Sequence, residues 1–225
     1  FAGPYTVTHH KATLLIASHF SFFNAGSGTN QSNHMYKLGP YHHGFMERGC
    51  KTGSNSYILW PSRIGAFSTV IGAHYDNIDS SNFPFSYITE HGYHQTRLIP
   101  ALNLFGVGLA RDENKWIERD RRTGDKKDLI IFEVFSPYTV SKMINAEKIL
   151  KDIRKNKDEN NKKGDFIVYK NMIIKGASLN KYSQRYSIAI DLYLRNKLLS
   201  YIKDCKNIND IIESLKSEKV YSDWV

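Results

Sequence analysis

All nine histidines of this 225-residue chain fall between His9 and His94: His9, His10, His19, His34, His42, His43, His74, His91 and His94. Imidazole titrates near neutrality, so it moves protons or ligates metal, and crowding in one part of a chain marks where chemistry could be done. No HxxxH or HExxH run is present, and the two cysteines, Cys50 and Cys205, have neither metal spacing nor a disulfide framework. Proton transfer is therefore the expectation for the histidines, with no metal site and a reducing compartment, the cytoplasm.

The elements that would position such groups show a second regularity. Met46, Thr52, Ile58, Ile64 and Val70 recur at every sixth residue, and four places after the first four of them stand Cys50, Ser56, Ser62 and Ser68. Six is neither a helical period nor a strand alternation. It is the hexapeptide signature of a β-helix, with the anchor pointing inward and the small residue at the corner where the chain turns. Upstream, Val7, Thr13, His19 and Ala25 keep the spacing in a shifted frame, so Asn33 to Phe45, with Gly39, Pro40 and Gly44, reads as a loop thrown out of the coil. Gly26 and Gly28 read as turn residues needing positive φ.

Residues 76–110 look like extended chain leaving the coil, and 111–128 like a charged, exposed linker. Ser136-Pro137 opens a helix to about Lys155, with Ser as cap and Pro in the first turn. Its stripe is Val140, Met143, Ile144, Ala146, Ile149, Leu150 and Ile153. Further helices are expected over 183–203, through Ile188, Leu192, Leu199 and Ile202, and over 207–219. The fold class is thus mainly β with α: a left-handed parallel β-helix with its exit segment over 1–110, then a linker and helices over 111–225 that cap or pack along the coil.

Of the 31 basic and 22 acidic residues, only 6 and 4 lie in 1–110, so most of the +9 charge belongs to the carboxy-terminal half. There it is interleaved with acids, as on a solvated surface, without an aromatic-basic motif, so nucleic acid is not the expected partner. No run of about 18 apolar residues exists, so no membrane span is expected. Phe1 in place of Met reads as the start of a piece of something longer.

The run Asn24-Ala25-Gly26-Ser27-Gly28-Thr29, followed by Ser32-Asn33-His34, resembles the NxGxGTxxxNY element of hexapeptide acetyltransferases. Gly53-Ser54-Asn55, Pro61 and Ile64-Gly65 resemble the later GSD…P…xG stretch of one of them, the acetyltransferase domain of the bifunctional enzyme that makes UDP-N-acetylglucosamine. That likeness covers residues 9–75. THHKATLLIAS, NAGSGTNQSNHMYKLGP and SPYTV are similar, nearly end to end, to an uncharacterised hexapeptide-repeat family, domain of unknown function 4954. The acetyltransferase resemblance implies His10 as catalytic base, fourteen residues before Asn24, with Asn33 assisting. It implies Asn24, His34 and Lys37 as acceptor contacts, and Ser27, Ser54 and Gly72 as the lining of an acyl-CoA groove. Thr13 stands where that family has an aromatic, His34 where it has Tyr, and Met35-Tyr36 where it has Asp-Gly.

Two functions remain open. One is an acyl-CoA-dependent acyltransferase acting on an amino or hydroxyl group of a sugar or sugar nucleotide, by direct attack with His10 as base. It would hold acyl-CoA as co-substrate, have no tightly bound cofactor, and work as a homotrimer. The other is a non-catalytic β-helix module that binds a sugar nucleotide or assembles a larger protein.

Overall fold

The computed structural model describes residues 4–8, 13–14, 21–32, 43–155 and 162–204, with a few more between 207 and 213. It has a mixed α/β architecture: mostly parallel strands, then carboxy-terminal helices.

The six-residue spacing is realised in side-chain direction. Met46, Thr52, Ile58, Ile64 and Val70 are buried, as are Cys50, Ser56, Ser62 and Ser68. Between them run short strands, Phe45–Met46, Lys51–Thr52, Tyr57–Leu59, Arg63–Ile64 and Thr69–Ile71. Successive strands from Phe45 to Leu59 enter three different sheets before Arg63–Ile64 rejoins the sheet of Phe45–Met46. Each strand pairs in parallel with one a circuit later: Lys51 with Thr69, Thr69 with Tyr87, and Phe45 with Arg63, eighteen residues apart each time. One circuit is therefore three hexads. The faces are here called the first (through Lys51), the second (through Tyr57) and the third (through Phe45).

The small residues sit where the backbone turns, and their polar groups need partners once buried. Neighbouring circuits supply them. The Ser56 hydroxyl donates to the Val70 carbonyl at 3.1 Å, the Cys50 thiol to that of Gly65 at 3.2 Å, and Ser62 Oγ accepts from the Ile78 amide at 3.0 Å. Earlier circuits keep nearly the same pitch. Val7 pairs with Asn24 and Thr13 with Asn30, seventeen residues apart, but Asn24 meets Lys51 and Asn30 meets Tyr57, twenty-seven apart. The surplus falls in the segment expected as a loop; its residues 33–42 lie outside the described residues, and its last, Phe45, is already in a strand.

Residues 76–110 do not simply leave the coil. Tyr87–His91 pairs in parallel with Thr69–Ile71, so the winding continues, and Ser80, Ser86 and Ile88 are buried at the repeat's own spacing. The chain then reverses at Gly92 into Gln95–Ile99, antiparallel to it. That strand carries a further hairpin, Phe166–Tyr169 with Met172–Lys175, on the same sheet. The sheet edge at the end of the coil is thereby paired.

The stretch expected as an exposed charged linker begins inside a helix, α1 (Val107–Glu118). Its charges mask three buried positions, Leu109, Asp112 and Trp116, spaced for one helical face. Helix α2 (Pro137–Lys155) starts where Ser136-Pro137 predicts, the Thr139 amide donating to Ser136 Oγ and the Ser136 amide to Thr139 Oγ1. Val140, Met143, Ala146 and Leu150 are buried, whereas Ile144 is exposed. Helix α3 (Leu179–Asp204) turns a different face inward from the one the Leu/Ile pattern suggests. Leu179, Tyr182, Tyr186, Ala189, Ile190 and Tyr193 are buried, and Ile188, Leu192, Leu199 and Ile202 are exposed. The Tyr186 hydroxyl, buried against the coil, donates to the Pro84 carbonyl at 2.6 Å. One apolar cluster runs from Phe23 through Trp116 and Met143 to Tyr186. Among the described residues no helix is long and apolar enough to cross a membrane. Most of the helix expected over 207–219 lies outside the described residues.

Candidate functional site

Of the residues expected to do chemistry, His10, Asn33, His34 and Lys37 lie outside the described residues, as do His9, His19 and His42. Asn24, Ser27, Ser54 and Gly72 are described, and the register brings the last three to one edge of the coil, between the first and second faces. The Asn55 amide donates to the Ser27 carbonyl at 2.7 Å, and the Tyr57 amide to that of Gly72 at 3.1 Å, so the corners at Ser27, Ser54 and Gly72 stack. Ser54 and Asn55 are exposed on that edge.

The glycines there have packing reasons. A Cβ at Gly26 would meet the carbonyl of Gly53, and one at Gly28 would run into the Asn55 side-chain oxygen. Gly28 also has φ +73°, which a side chain resists. Thr29 of the same run is fully buried. Its hydroxyl donates to the Gly26 carbonyl at 2.7 Å and meets Thr52 Oγ1 at 2.7 Å, while Thr52 Oγ1 accepts from the Gly26 amide at 2.9 Å. The GxGT part of the motif thus clamps one circuit to the next.

At Gly72, φ is +90°, and the corner is two residues tighter, since Tyr57 pairs with Ala73 only sixteen residues on. Glu90 fills the space that a side chain would take. Its Cβ lies 2.8 Å from an ideal Cβ position at Gly72, and its Oε2 accepts from the Ala73 amide at 3.2 Å. A carboxylate therefore stands at one end of the expected acyl-CoA groove.

Asn24 lies on the adjoining first face, with Val7 and Lys51 as its strand partners. The Lys51 ammonium is in contact with the carboxylate of Asp112, which α1 brings in and buries. Burial, helped by the charges of Arg111 and Lys115, pushes the Lys51 ammonium down to about 8, while the touching carboxylate pulls the other way. The outcome is a cationic cluster, Lys51, Arg111 and Lys115, around one acid beside Asn24. None of these was expected as a site residue. Lys51 was legible, because closing up the long loop puts it in the Asn24 column; Asp112 and Glu90 come from outside the repeat's anchor and corner positions, and no spacing leads to them.

The histidines divide. His74 is a core residue: Nδ1 lies 2.8 Å from Thr96 Oγ1 and Nε2 3.3 Å from the Ile71 carbonyl. A carbonyl only accepts, so Nε2 carries the proton and Nδ1 takes one from the Thr96 hydroxyl. Burial holds the ring neutral, with its pKa pushed down to about 4. His91 packs on the ring of Phe166 and His94 on Tyr75. Among the described residues no cluster of His, Cys, Asp or Glu could hold a metal. Cys50 is enclosed, and burial raises its thiol far above the usual range, so it is no nucleophile.

A family model described as a domain of unknown function (DUF4954) matches residues 1–154, and the chain belongs to that family. No curated protein and no solved structure matches it.

Proposed function

We propose that this member of the DUF4954 family is an acyl-CoA-dependent acyltransferase acting on an amino or hydroxyl group of a sugar or sugar nucleotide, built on a left-handed β-helix. The observation that carries the reading is the stacking of Ser27, Ser54 and Gly72 on one exposed edge, next to the face that holds Asn24. In the hexapeptide acetyltransferases that the Asn24–His34 stretch resembles, the positions matching Ser54 and Gly72 line the acyl-CoA groove. The eighteen-residue parallel pitch supports the β-helix.

The chemistry runs on the chain's own groups. Neutral His10 takes the proton from the acceptor amine or hydroxyl as it attacks the thioester carbonyl. Asn33 donates to the developing oxyanion. Collapse expels the CoA thiolate, and the imidazolium returns its proton there. Asn24, His34 and Lys37 hold the acceptor. The cations around Lys51 favour an anionic ligand such as a diphosphate. The protein works in the cytoplasm as a homotrimer, and the exposed stripe Ile188, Leu192, Leu199 and Ile202 on α3 supports self-association.

One observation favours the alternative, a non-catalytic binding or assembly module: Glu90 occupies the Gly72 end of the groove. Calorimetry with acetyl-CoA separates the two. The acyltransferase reading expects binding that Ser54→Trp abolishes and His10→Ala leaves intact while turnover is lost. Absence of acetyl-CoA binding in a folded sample would reject it, and a monomer by light scattering would reject the homotrimer.

A further inference from the structure

Beyond the last circuit the sheet turns a group of polar side chains outward. Along Tyr87–His91 and Gln95–Ile99 the residues alternate: Ile88, Thr96 and Leu98 are buried, and Thr89, His91, Gln95 and Arg97 stand half-buried on the other side. The register sets Thr89 directly opposite Arg97, and His91 opposite Gln95. On the next strand, Met172–Lys175, Met172 and Ile174 join the apolar cluster within. Ile173 is the strand partner of Arg97, so exposed Lys175, two residues on, lies diagonal to it on the outward side. Diagonal neighbours of this kind are about 7–8 Å apart, close enough for two long side chains to meet on one small group.

Among the described residues none of Thr89, His91, Gln95, Arg97 and Lys175 makes a side-chain hydrogen bond or ion pair. Arg97 is the telling case. Its Nε is enclosed with no acceptor, and its guanidinium lies 5.8 Å from the Phe166 ring, which the His91 ring meets at 4.8 Å. That cation–π contact steadies the guanidinium but supplies no counter-ion. Other cations packed against the coil have carboxylates: Lys51 has Asp112, Lys142 has Glu47 and Lys170 has Asp79. The nearest acid in sequence, Glu90, has its carboxylate on the Ala73 amide instead. Like charges on adjacent strands repel, and partial desolvation of Arg97 adds to the cost. An anion lying between the two cations offsets both.

We infer that this face binds a phosphate monoester, its phosphoryl group held between the Arg97 fork and the Lys175 ammonium, with Thr89 and Gln95 donating further hydrogen bonds. The planar fork takes two phosphoryl oxygens at once. A monoester carries a charge of about −1.5 to −2 near neutral pH and so answers both cations, whereas a carboxylate or a phosphodiester answers one. The site goes beyond the acyl-transfer reading and does not rest on it. It lies on the sheet's outward side, past the edge of Ser27, Ser54 and Gly72, and involves neither His10 nor CoA.

The test is calorimetry without CoA, on the chain as it stands, with glycerol phosphate and adenosine monophosphate as probes. Saturable binding of at least one is expected, weakening as salt is raised. Arg97→Gln should weaken it at least about tenfold, and Arg97→Lys should restore it only in part because the fork is lost. Diethyl phosphate, a singly charged diester, should bind at least about tenfold more weakly than the monoester. No binding of either monoester overturns the proposal, as does binding that Arg97→Gln retains at full strength. Adenosine binding as tightly as its monophosphate also overturns it, since the phosphoryl group would then be idle. Ser54→Trp, which closes the acyl-CoA edge, should leave monoester binding unchanged; loss there would move the phosphate to that edge and sink the assignment. Lys175 is exposed, so Lys175→Glu keeps the test decisive if Arg97→Gln does not fold. The added carboxylate pairs with Arg97 and should abolish binding, and full retention overturns the site.

Discussion

The rings of Phe67 and Phe85 stack with centroids 5.1 Å apart and planes 5° from parallel, although both residues hold the backbone in the left-handed region, at φ 54° and 56°. They stand one circuit apart at the corner between the third and first faces. Tyr5, Phe22 and Gly49 occupy the same kind of corner, all at positive φ. Tyr5 and Phe22 stack likewise at 5.2 Å, and the Arg48 guanidinium lies 4.8 Å from the Phe22 ring and 5.6 Å from that of Phe67, bridging the gap opposite Gly49. Trp116 of α1 covers Phe22 edge-on at 4.6 Å. The strained conformation of bulky residues costs about 1–2 kcal/mol each, and burying two stacked faces offsets it.

Phe67→Ala should therefore lower stability by about 3–5 kcal/mol in urea denaturation. Gly49→Ala tests the gap: a Cβ there runs into the Phe67 ring, whereas one at Gly92, also at positive φ, meets nothing within 4 Å. Gly92→Ala should cost only about 1 kcal/mol of backbone strain, and Gly49→Ala at least about twice that through overpacking. Equal costs at the two positions would mean that the column is loose.

Much of the coil was legible because its period comes from burial. An inward anchor and a small corner residue are required at every hexad, and Met46 through Val70 satisfy both. The reading stopped short at residue 76 because the tight corner at Gly72 shortens one circuit by two residues, so that His74, a polar residue, takes the anchor place opposite Ile58. Ser80, Ser86 and Ile88 still carried the signal. Helix α1 was missed because three buried side chains are outvoted by five charged or amide neighbours in its sequence, and α3 was turned the wrong way because three tyrosines and an alanine make up most of its buried face, beside only Leu179 and Ile190. Of the candidate site, Ser27, Ser54 and Gly72 came from the acetyltransferase resemblance, and the register sets them on one edge. Lys51–Asp112 and Glu90–Gly72 are contacts between distant segments, set by how the helix and hairpin return to the coil.

His74 should make stability depend on pH. Its folded pKa of about 4 lies below the ordinary value of 6.5, so between these values the unfolded chain binds the extra proton. The contribution is fully present above about pH 6.5 and is lost as pH falls toward 4, by about 2 kcal/mol on going from pH 7.5 to 5. His74→Gln should remove that part of the slope. Identical pH dependence of the urea midpoint in wild type and variant would mean that the ring titrates normally.

Cys50 should be silent to thiol reagents in the folded chain, since its sulfur is enclosed and its thiolate is disfavoured. In a Cys205→Ser background, N-ethylmaleimide should label Cys50 only as fast as the chain unfolds, so mass spectrometry would show labelling rise with urea. Complete labelling within minutes in native buffer would place the thiol at an open surface and contradict the corner role.

The Lys51–Asp112 pair fixes α1 to the first face, and its energetics differ from those of a surface bridge. Asp112 is buried, so removing its charge leaves the partly buried Lys51 ammonium without a counter-ion in a field already made positive by Arg111 and Lys115. Asp112→Asn should cost about 3 kcal/mol, the usual result of breaking a buried pair. Lys51→Met combined with Asp112→Leu should recover most of that, because neither desolvation penalty remains. The two outcomes separate a clamp from a functional group. If the double variant regains stability yet loses acetyl-CoA binding, the cations beside Asn24 serve a ligand; if it keeps both, the pair only holds the helix.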